Sequence, residues 1–300
     1  MARIVLIGEA MLELSRTQDT WRLGYGGDTL NTAIHLARAG HDVAYLTALG
    51  SDPLSAGLKA AWKAEGLDTA LVLNHPARNT GLYAISTDAR GERSFTYWRN
   101  SSAAREMFAL PEMEWSAAIA VEADLLCFSL ISLAILAPAD RDRILALARQ
   151  LRARGGKVAF DGNYRSRLWH GAEEAIAVRD AAIAVVDIGL PTLEDETALS
   201  GEPDGDSVAR HWTACGCDEV IVKLGASGCS LTDGTVLPPP ATLSPVDTSG
   251  AGDAFNGGYL AARMRGATIQ DAALAGHRLA GWCVMRRGAI PPRDADAPYA

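Results

Sequence analysis

Short β-branched runs alternate with helical patterns along most of the 300 residues, and this alternation restricts the chain to a sheet of parallel strands covered on both faces. Arg3–Ile7 reads as a buried strand ending at Gly8, and strand-like runs recur at 43–48, 124–130, 157–161, 183–188 and 219–224. Helical spacing appears at 28–38, with Leu30, Ala33, Ile34 and Ala37 on one face and Gly40 as the stop. Further helical patterns occupy 139–154, 172–179, 194–199, 206–214, 251–264 and 269–285. The length accommodates one large α/β domain, expected to span 1–300.

One region breaks the rhythm. Two alternating runs, 82–88 and 94–99, flank the turn-forming stretch Ala89-Arg90-Gly91-Glu92, the pattern of a β-hairpin. Leu12–Leu14 and Gly24–Gly27 also fall outside the alternation and are available to pair with it. A small β-sheet lid over a ligand cleft is expected from segments of about 10–27 and 69–100.

Lys and Arg number 28 against 36 Asp and Glu, a net charge of −8, which disfavours a nucleic-acid binder that relies on phosphate contacts. Any anionic ligand must be held by local groups. Five scattered cysteines argue against a disulfide scaffold, and the most apolar stretch, 125–139, falls short of the roughly 18–20 residues that span a bilayer. The N-terminal run lacks the features of a secretory signal, so a cytoplasmic protein without membrane attachment is expected.

The segment with most chemistry runs Val246-Asp247-Thr248-Ser249-Gly250-Ala251-Gly252-Asp253-Ala254-Phe255-Asn256. Small residues precede a helix, so the N–H groups of Gly250, Ala251 and Gly252 can converge near the positive end of a helix dipole and bind an anion. Asp253 then places a carboxylate where it can take the proton of an attacking hydroxyl. A tight turn with a helix-capping acid has the same spacing, and residues alone leave both readings open. Phe255 stands where a dinucleotide fingerprint needs its third glycine, and no Walker A ending follows.

Asp247-Thr-Ser-Gly-Ala-Gly-Asp-Ala-Phe255 resembles the C-terminal signature of the PfkB, or ribokinase-like, carbohydrate kinases. Gly26-Gly-Asp-Thr-Leu-Asn-Thr-Ala33, followed by Leu36-Ala-Arg-Ala-Gly40, resembles their N-terminal signature, in the family's order and far away in the chain. The segments 8–14, 91–100, 131–136, 160–169 and 287–292 are similar to the branch that phosphorylates 2-keto-3-deoxygluconate. The resemblance implies an αβα sandwich with a β-sheet lid, and transfer of the γ-phosphoryl of ATP to the 6-hydroxyl of a sugar acid. A fructokinase-like or galactonate-epimer specificity is the alternative within the family. A sugar-acid sensor without catalysis would have no need of Asp253.

Carried onto this chain, the resemblance implies substrate contacts from Gly26, Gly27, Asp28, Asn31, Tyr83, Tyr97, Arg99, Arg165 and Asp253. Guanidinium groups suit the substrate carboxylate because they meet it in a two-bond fork. Asn163, Arg165, Lys223, Gly225, Ser227, Gly228, Gly250 and Gly252 are implied at the nucleotide. The family's Asn-x-x-Glu, associated with magnesium, is represented by Thr192-Leu-Glu-Asp195, followed by Glu196. Mg²⁺ is therefore expected to travel chiefly with ATP, with protein ligands unassigned and a monovalent cation such as K⁺ as a further cofactor. A homo-oligomer is expected from the exposed edges of the lid sheet. His211, Cys215 and Cys217 lie close together but lack the second pair of a zinc motif, and read as an ordinary helix end.

Overall fold

The computed structural model describes residues 3–17, 20–87 and 93–299. The chain opens with β1 (Arg3–Ile7), β2 (Met11–Thr17), β3 (Thr20–Gly26), α1 (Asp28–Arg38), β4 (Asp42–Gly50), α2 (Pro53–Ala64) and β5 (Val72–His75). Then come β6 (Gly81–Thr87), β7 (Arg93–Trp98), α3 (Met113–Ala120), β8 (Leu125–Ser129), α4 (Leu130–Ala134), α5 (Pro138–Ala153) and β9 (Lys157–Asp161). The remainder is α6 (Ala172–Ile183), β10 (Ile188–Gly189), α7 (Leu193–Ser200), α8 (Gly205–Ala214), β11 (Glu219–Val220), β12 (Val222–Lys223), β13 (Cys229–Ser230), β14 (Val236–Leu237), α9 (Ala251–Arg263) and α10 (Ile269–Val284).

Seven strands form the central sheet in the order β11-β10-β9-β8-β1-β4-β5, and every pairing is parallel. Both faces are covered, which explains why β1 reads as a continuous apolar run. Ile4 and Leu6 pack with Leu30, Ile34, Tyr259 and Leu260 of α1 and α9, while Val5 and Ile7 enter the core that holds Ile144, Leu151 and Trp212. The strand order reverses at β1: successive strands run outward to β4 and β5 on one side and to β8 through β11 on the other. In such sheets the crevice beyond the carboxyl ends at the reversal is where ligands bind. Glu9, Ser129 and Asp161 stand at or just beyond those ends.

The lid is a separate four-stranded sheet, β3-β2-β6-β7. β2 pairs antiparallel with β3 and parallel with β6, and β6 with β7 forms the expected hairpin. Its turn residues, Ala89 to Glu92, lie outside the described residues. The second lid segment begins later than residue 69, because β5 pairs with β4 on the edge of the central sheet. The expected strand at 183–188 is also displaced: Ile183 ends α6, and pairing starts only at Ile188. Ala182 and Ile183 extend the apolar face of that helix into the core, so burial in the helix overrides β-propensity. The run 219–224 divides between β11 in the central sheet and β12 in a small three-stranded sheet.

Candidate active site

α9 begins where the glycine-rich segment ends. Gly250 is its N-cap with φ of 69°, a left-handed conformation, and a Cβ there would lie 2.5 Å from the Cβ of Ala289. Glycine is thus required twice, by the backbone angle and by the chain packed behind the loop. That loop is clamped from below. Asp247 accepts from the Ser249 amide at 2.9 Å and from the Gly288 amide at 2.8 Å, while His35 meets the Ala289 carbonyl at 3.3 Å. Burial holds the His35 imidazole down at about 3, so it stays neutral there. Of the three expected donors, Ala251 turns its N–H back to the Thr248 carbonyl at 3.3 Å. Gly250→Ala is expected to lower turnover by about 10²-fold, the cost of displacing one preorganised donor, in steady-state kinetics.

Asp253 lies in the first turn of α9, and its Oδ2 accepts from Asn31 Nδ2 at 2.7 Å. α1 therefore reaches across to the glycine loop, which unites two motifs 222 residues apart. The Asp253 carboxyl is pushed up to about 8, by burial first and then by the neighbouring Asp28 charge, against the lowering effect of Asn31. Asp28 is itself raised by burial and by Asp161, and it accepts from Asn163 Nδ2 at 3.1 Å. Gly27 has room for no side chain, since a Cβ would meet the Glu9 carbonyl oxygen at 2.4 Å.

The lid contributes one wall. Tyr83 and Tyr97 are paired across β6 and β7 with ring centroids 5.9 Å apart, and the Tyr83 hydroxyl donates to Glu13. That hydroxyl lies against Gly26, where a Cβ would come within 2.4 Å of it. Burial first and then Glu13 raise the Tyr83 hydroxyl, with a smaller contribution from the Asp253 charge. Tyr97 is 45% exposed.

The two arginines differ. Arg99 is buried and paired with Glu9, which also accepts from Ser102 Oγ. Arg165 is half-exposed, and its Nη1 donates to Asp195 Oδ1 at 3.1 Å. Burial, followed by the Asp161 charge, raises the Asp195 carboxyl, against the lowering effect of Arg165. Thus the departure from Asn-x-x-Glu still brings a carboxylate to this place.

Asp161, Asn256 and Glu9, none of them in the expected set, bond to residues that are: Glu9 to Arg99, and the other two to Lys223. Lys223 Nζ donates to Asp161 Oδ1 and to Asn256 Oδ1, each at 3.0 Å, and Asn256 Nδ2 donates to Asp161 Oδ2 at 3.0 Å. This closed, buried triangle puts the ammonium 3.7 Å from where a Cβ on Gly252 would be, beside the glycine loop. Asp161, Asn256 and Glu9 all lie inside motif segments, but their partners are distant in sequence and spacing could not reveal them. Gly225 and Ser227 form a short 3-10 turn between β12 and β13. Gly228 has a structural cause, since a Cβ would lie 2.0 Å from the Leu237 carbonyl oxygen.

Among the described residues, Asn31 Oδ1, Asn163 Oδ1 and Arg99 Nε are buried polar atoms with no hydrogen-bond partner. All three belong to the expected site. They are three of ten such side-chain atoms among the described residues, and each is open to a polar ligand.

Comparison with known proteins agrees with this geometry. A 2-dehydro-3-deoxygluconokinase of Escherichia coli (strain K12) is 46% identical over 98% of each chain, and one from Dickeya dadantii (strain 3937) is 43% identical over 97% of each. Aminoimidazole riboside kinase from Salmonella enterica, solved with aminoimidazole riboside and an ATP analog, superimposes with a TM-score of 0.80 at 26% identity, covering 96% of this chain and 95% of that one. A family model described as pfkB family carbohydrate kinase matches residues 1–296, and its span takes in both the glycine loop with Asp253 and the α1 motif that holds it: this chain belongs to the pfkB family of carbohydrate kinases.

Proposed function

We propose that the chain is an ATP-dependent 2-dehydro-3-deoxygluconokinase, which transfers the γ-phosphoryl of ATP to the 6-hydroxyl of 2-dehydro-3-deoxy-D-gluconate. The observation that carries the chemistry is the Asp253 carboxylate fixed by Asn31 at 2.7 Å at the head of α9, beside the Gly250 and Gly252 amides. The full-length relatives that bear this name support the substrate. Asp253 takes the 6-hydroxyl proton as the oxygen attacks the γ-phosphorus and ADP leaves, and the amides stabilise charge on the transferring group.

A substrate hydroxyl satisfies Asn31 Oδ1, Gly26, Gly27 and Asp28 line the sugar's approach, and Asn163 stands at the nucleotide. Arg165 is the principal carboxylate partner, because half of its side chain is open to solvent. Arg99 offers Nε while Glu9 holds its Nη2. Tyr83 and Tyr97 form the lid wall. A neutral sugar would leave Arg165 and Arg99 without a substrate group to meet. Lys223, together with the turn of Gly225, Ser227 and Gly228, borders the nucleotide.

Asp195 suits Mg²⁺, a hard cation that prefers carboxylate and water oxygens, since burial and the Asp161 charge both raise its carboxyl and a cation offsets both. When bound with ATP, Mg²⁺ neutralises charge on the β- and γ-phosphates. Asp247 and the carbonyls of Ser249, Gly288 and Ala289, which converge on Cys283 Sγ at 3.5–3.9 Å, suit a monovalent cation such as K⁺ behind the loop.

The whole chain acts as one kinase unit in the cytoplasm. Its five free cysteines support that compartment, and no described helix is long and apolar enough to cross a membrane. A homo-oligomer is supported by Trp21, Leu23 and Trp98, 52%, 49% and 58% exposed on the lid face opposite Tyr83. The functional test is ADP release that depends on 2-dehydro-3-deoxygluconate, with phosphorus NMR of the product. Phosphate on the 6-oxygen supports the reading, and no sugar-dependent ADP release defeats it.

A further inference from the structure

We propose that Tyr299, on the segment that follows α10, is a positioning residue for phosphoryl transfer. Its hydroxyl fixes His35, and His35 holds the Ala289 carbonyl behind the glycine loop. The proposal rests on the kinase reading of that loop and is independent of which sugar the chain takes. Tyr299 Oη lies 2.7 Å from His35 Nδ1, and His35 Nε2 lies 3.3 Å from the Ala289 oxygen. Ala289 is packed on the N-cap of α9: a Cβ on Gly250 would come within 2.5 Å of the Ala289 Cβ and 3.0 Å of its oxygen. With so little room between them, a shift of Ala289 displaces the loop amides.

The direction of each hydrogen bond follows from chemistry. Burial, followed by the Arg38 charge, keeps the His35 imidazole neutral, so the ring carries a single proton. A carbonyl oxygen only accepts, which puts that proton on Nε2 and leaves Nδ1 as a lone pair. Tyr299 therefore donates to Nδ1. The opposite tautomer would set the Nε2 lone pair against the carbonyl oxygen. Arg38 enforces the same order from the other side. Its Nη1 lies 3.4 Å from Tyr299 Oη and 2.7 Å from the Pro291 oxygen, and a guanidinium only donates, so the hydroxyl accepts from Arg38 and gives its own proton to His35. Glu65 holds Arg38 in a two-bond fork at 2.6 and 2.8 Å. Arg38, Tyr299, His35 and Ala289 thus form one directional chain that ends at the glycine loop.

His35 is well placed to transmit it. It follows Asn31 by four residues on α1, on the same helix face as the side chain that fixes Asp253 at 2.7 Å. Gly257 of α9 lies directly against it, since a Cβ there would come within 2.6 Å of the His35 Cβ. The Tyr299 ring stacks on His35 with centroids 6.0 Å apart and meets Trp282 edge-on at 5.7 Å. Phenylalanine keeps both ring contacts and removes only the hydroxyl. Arg38 keeps Glu65 and Pro291, so the group left without its partner is His35 Nδ1.

The test is Tyr299→Phe in the full chain, assayed well below the Tm of both proteins, with far-ultraviolet circular dichroism as the check on folding. kcat is expected to fall about 10-fold, within the roughly 10²-fold that a misplacement of about 1 Å far from the chemistry costs. KM for the sugar should stay unchanged, because the sugar-facing side chains keep their partners. The assay uses whichever sugar gives native protein its fastest ADP release, so failure of the sugar-acid reading leaves this test intact. The second readout needs no activity. Nitrogen-15 NMR of histidine-labelled native protein should show His35 as the Nε2–H tautomer, and Tyr299→Phe should convert it to a mixture as Nδ1 loses its donor. Any tautomer other than Nε2–H in native protein, an unchanged His35 signal in the variant, native kcat in the variant, or a loss carried by KM for the sugar would overturn the proposal.

Discussion

Asp253→Asn is expected to lower kcat by about 10²–10⁴-fold, the range for loss of a positioned general base, with KM for sugar acid and ATP nearly unchanged. The carboxamide can still present its oxygen to Asn31 Nδ2, so the bond at the head of α9 survives. It has no capacity to take the proton of the 6-hydroxyl. Near-normal turnover in this variant would remove Asp253 from the chemistry. The pH profile carries the same signature. Because the carboxyl is pushed up to about 8, the base form grows with pH, and kcat/KM of the native enzyme should rise through neutrality and level off above about pH 8. Stability has the opposite slope. With a folded pKa above the unfolded one, the native state binds more protons, so stability falls as pH rises from about 4 to 8. Asp253→Asn abolishes that fall, and its Tm should exceed the native value at pH 8, with the gap closing near pH 4.

Lys223→Met is expected to cost about 3–5 kcal/mol of stability, because it leaves the buried Asp161 carboxylate without its cation. Methionine fills much of the same volume but donates nothing to Asp161 or Asn256, so both lose a partner at 3.0 Å. At roughly 2–4 °C per kcal/mol, Tm falls by on the order of 10 °C. Turnover should also fall, since the ammonium beside Gly252 adds positive potential where phosphoryl charge develops. The double variant Lys223→Met, Asp161→Asn separates the two effects. It removes the unpaired charge and should regain much of the lost Tm without regaining turnover. If the double variant recovers turnover as well, the ammonium has only a structural role.

What the chain's residues reveal in advance depends on how local the cause is. β1, α1 and β9 are legible to the residue, because each has a complete period and a clear stop within its own span. The lid hairpin is legible from alternation around a turn, but the parallel pairing of β2 with β6 is not, since nothing local sets a register between strands 70 residues apart. Ile183 reads as strand by composition and is helix in the fold, because the core takes its side chain from α6.

The site divides along the same line. Asp253, the glycine loop and Asn31 are marked by motifs whose backbone requirements are local. The engagement of Arg99 by Glu9, and the triangle of Asp161, Lys223 and Asn256, depend on contacts across 33 to 95 residues. Net charge shows the limit most plainly. A chain of −8 gives no hint that it binds anions, whereas the fold gathers Arg165, Lys223 and the loop amides at one end of the sheet.

The most direct measurement of the central claim is kcat/KM by coupled ADP release across 2-dehydro-3-deoxygluconate, fructose and ribose at one pH and salt concentration. A charge-assisted hydrogen bond to the substrate carboxylate contributes about 1.5–3 kcal/mol. The sugar acid should therefore exceed both neutral sugars by about 10- to 150-fold or more. Equal or greater specificity for a neutral sugar would contradict the account.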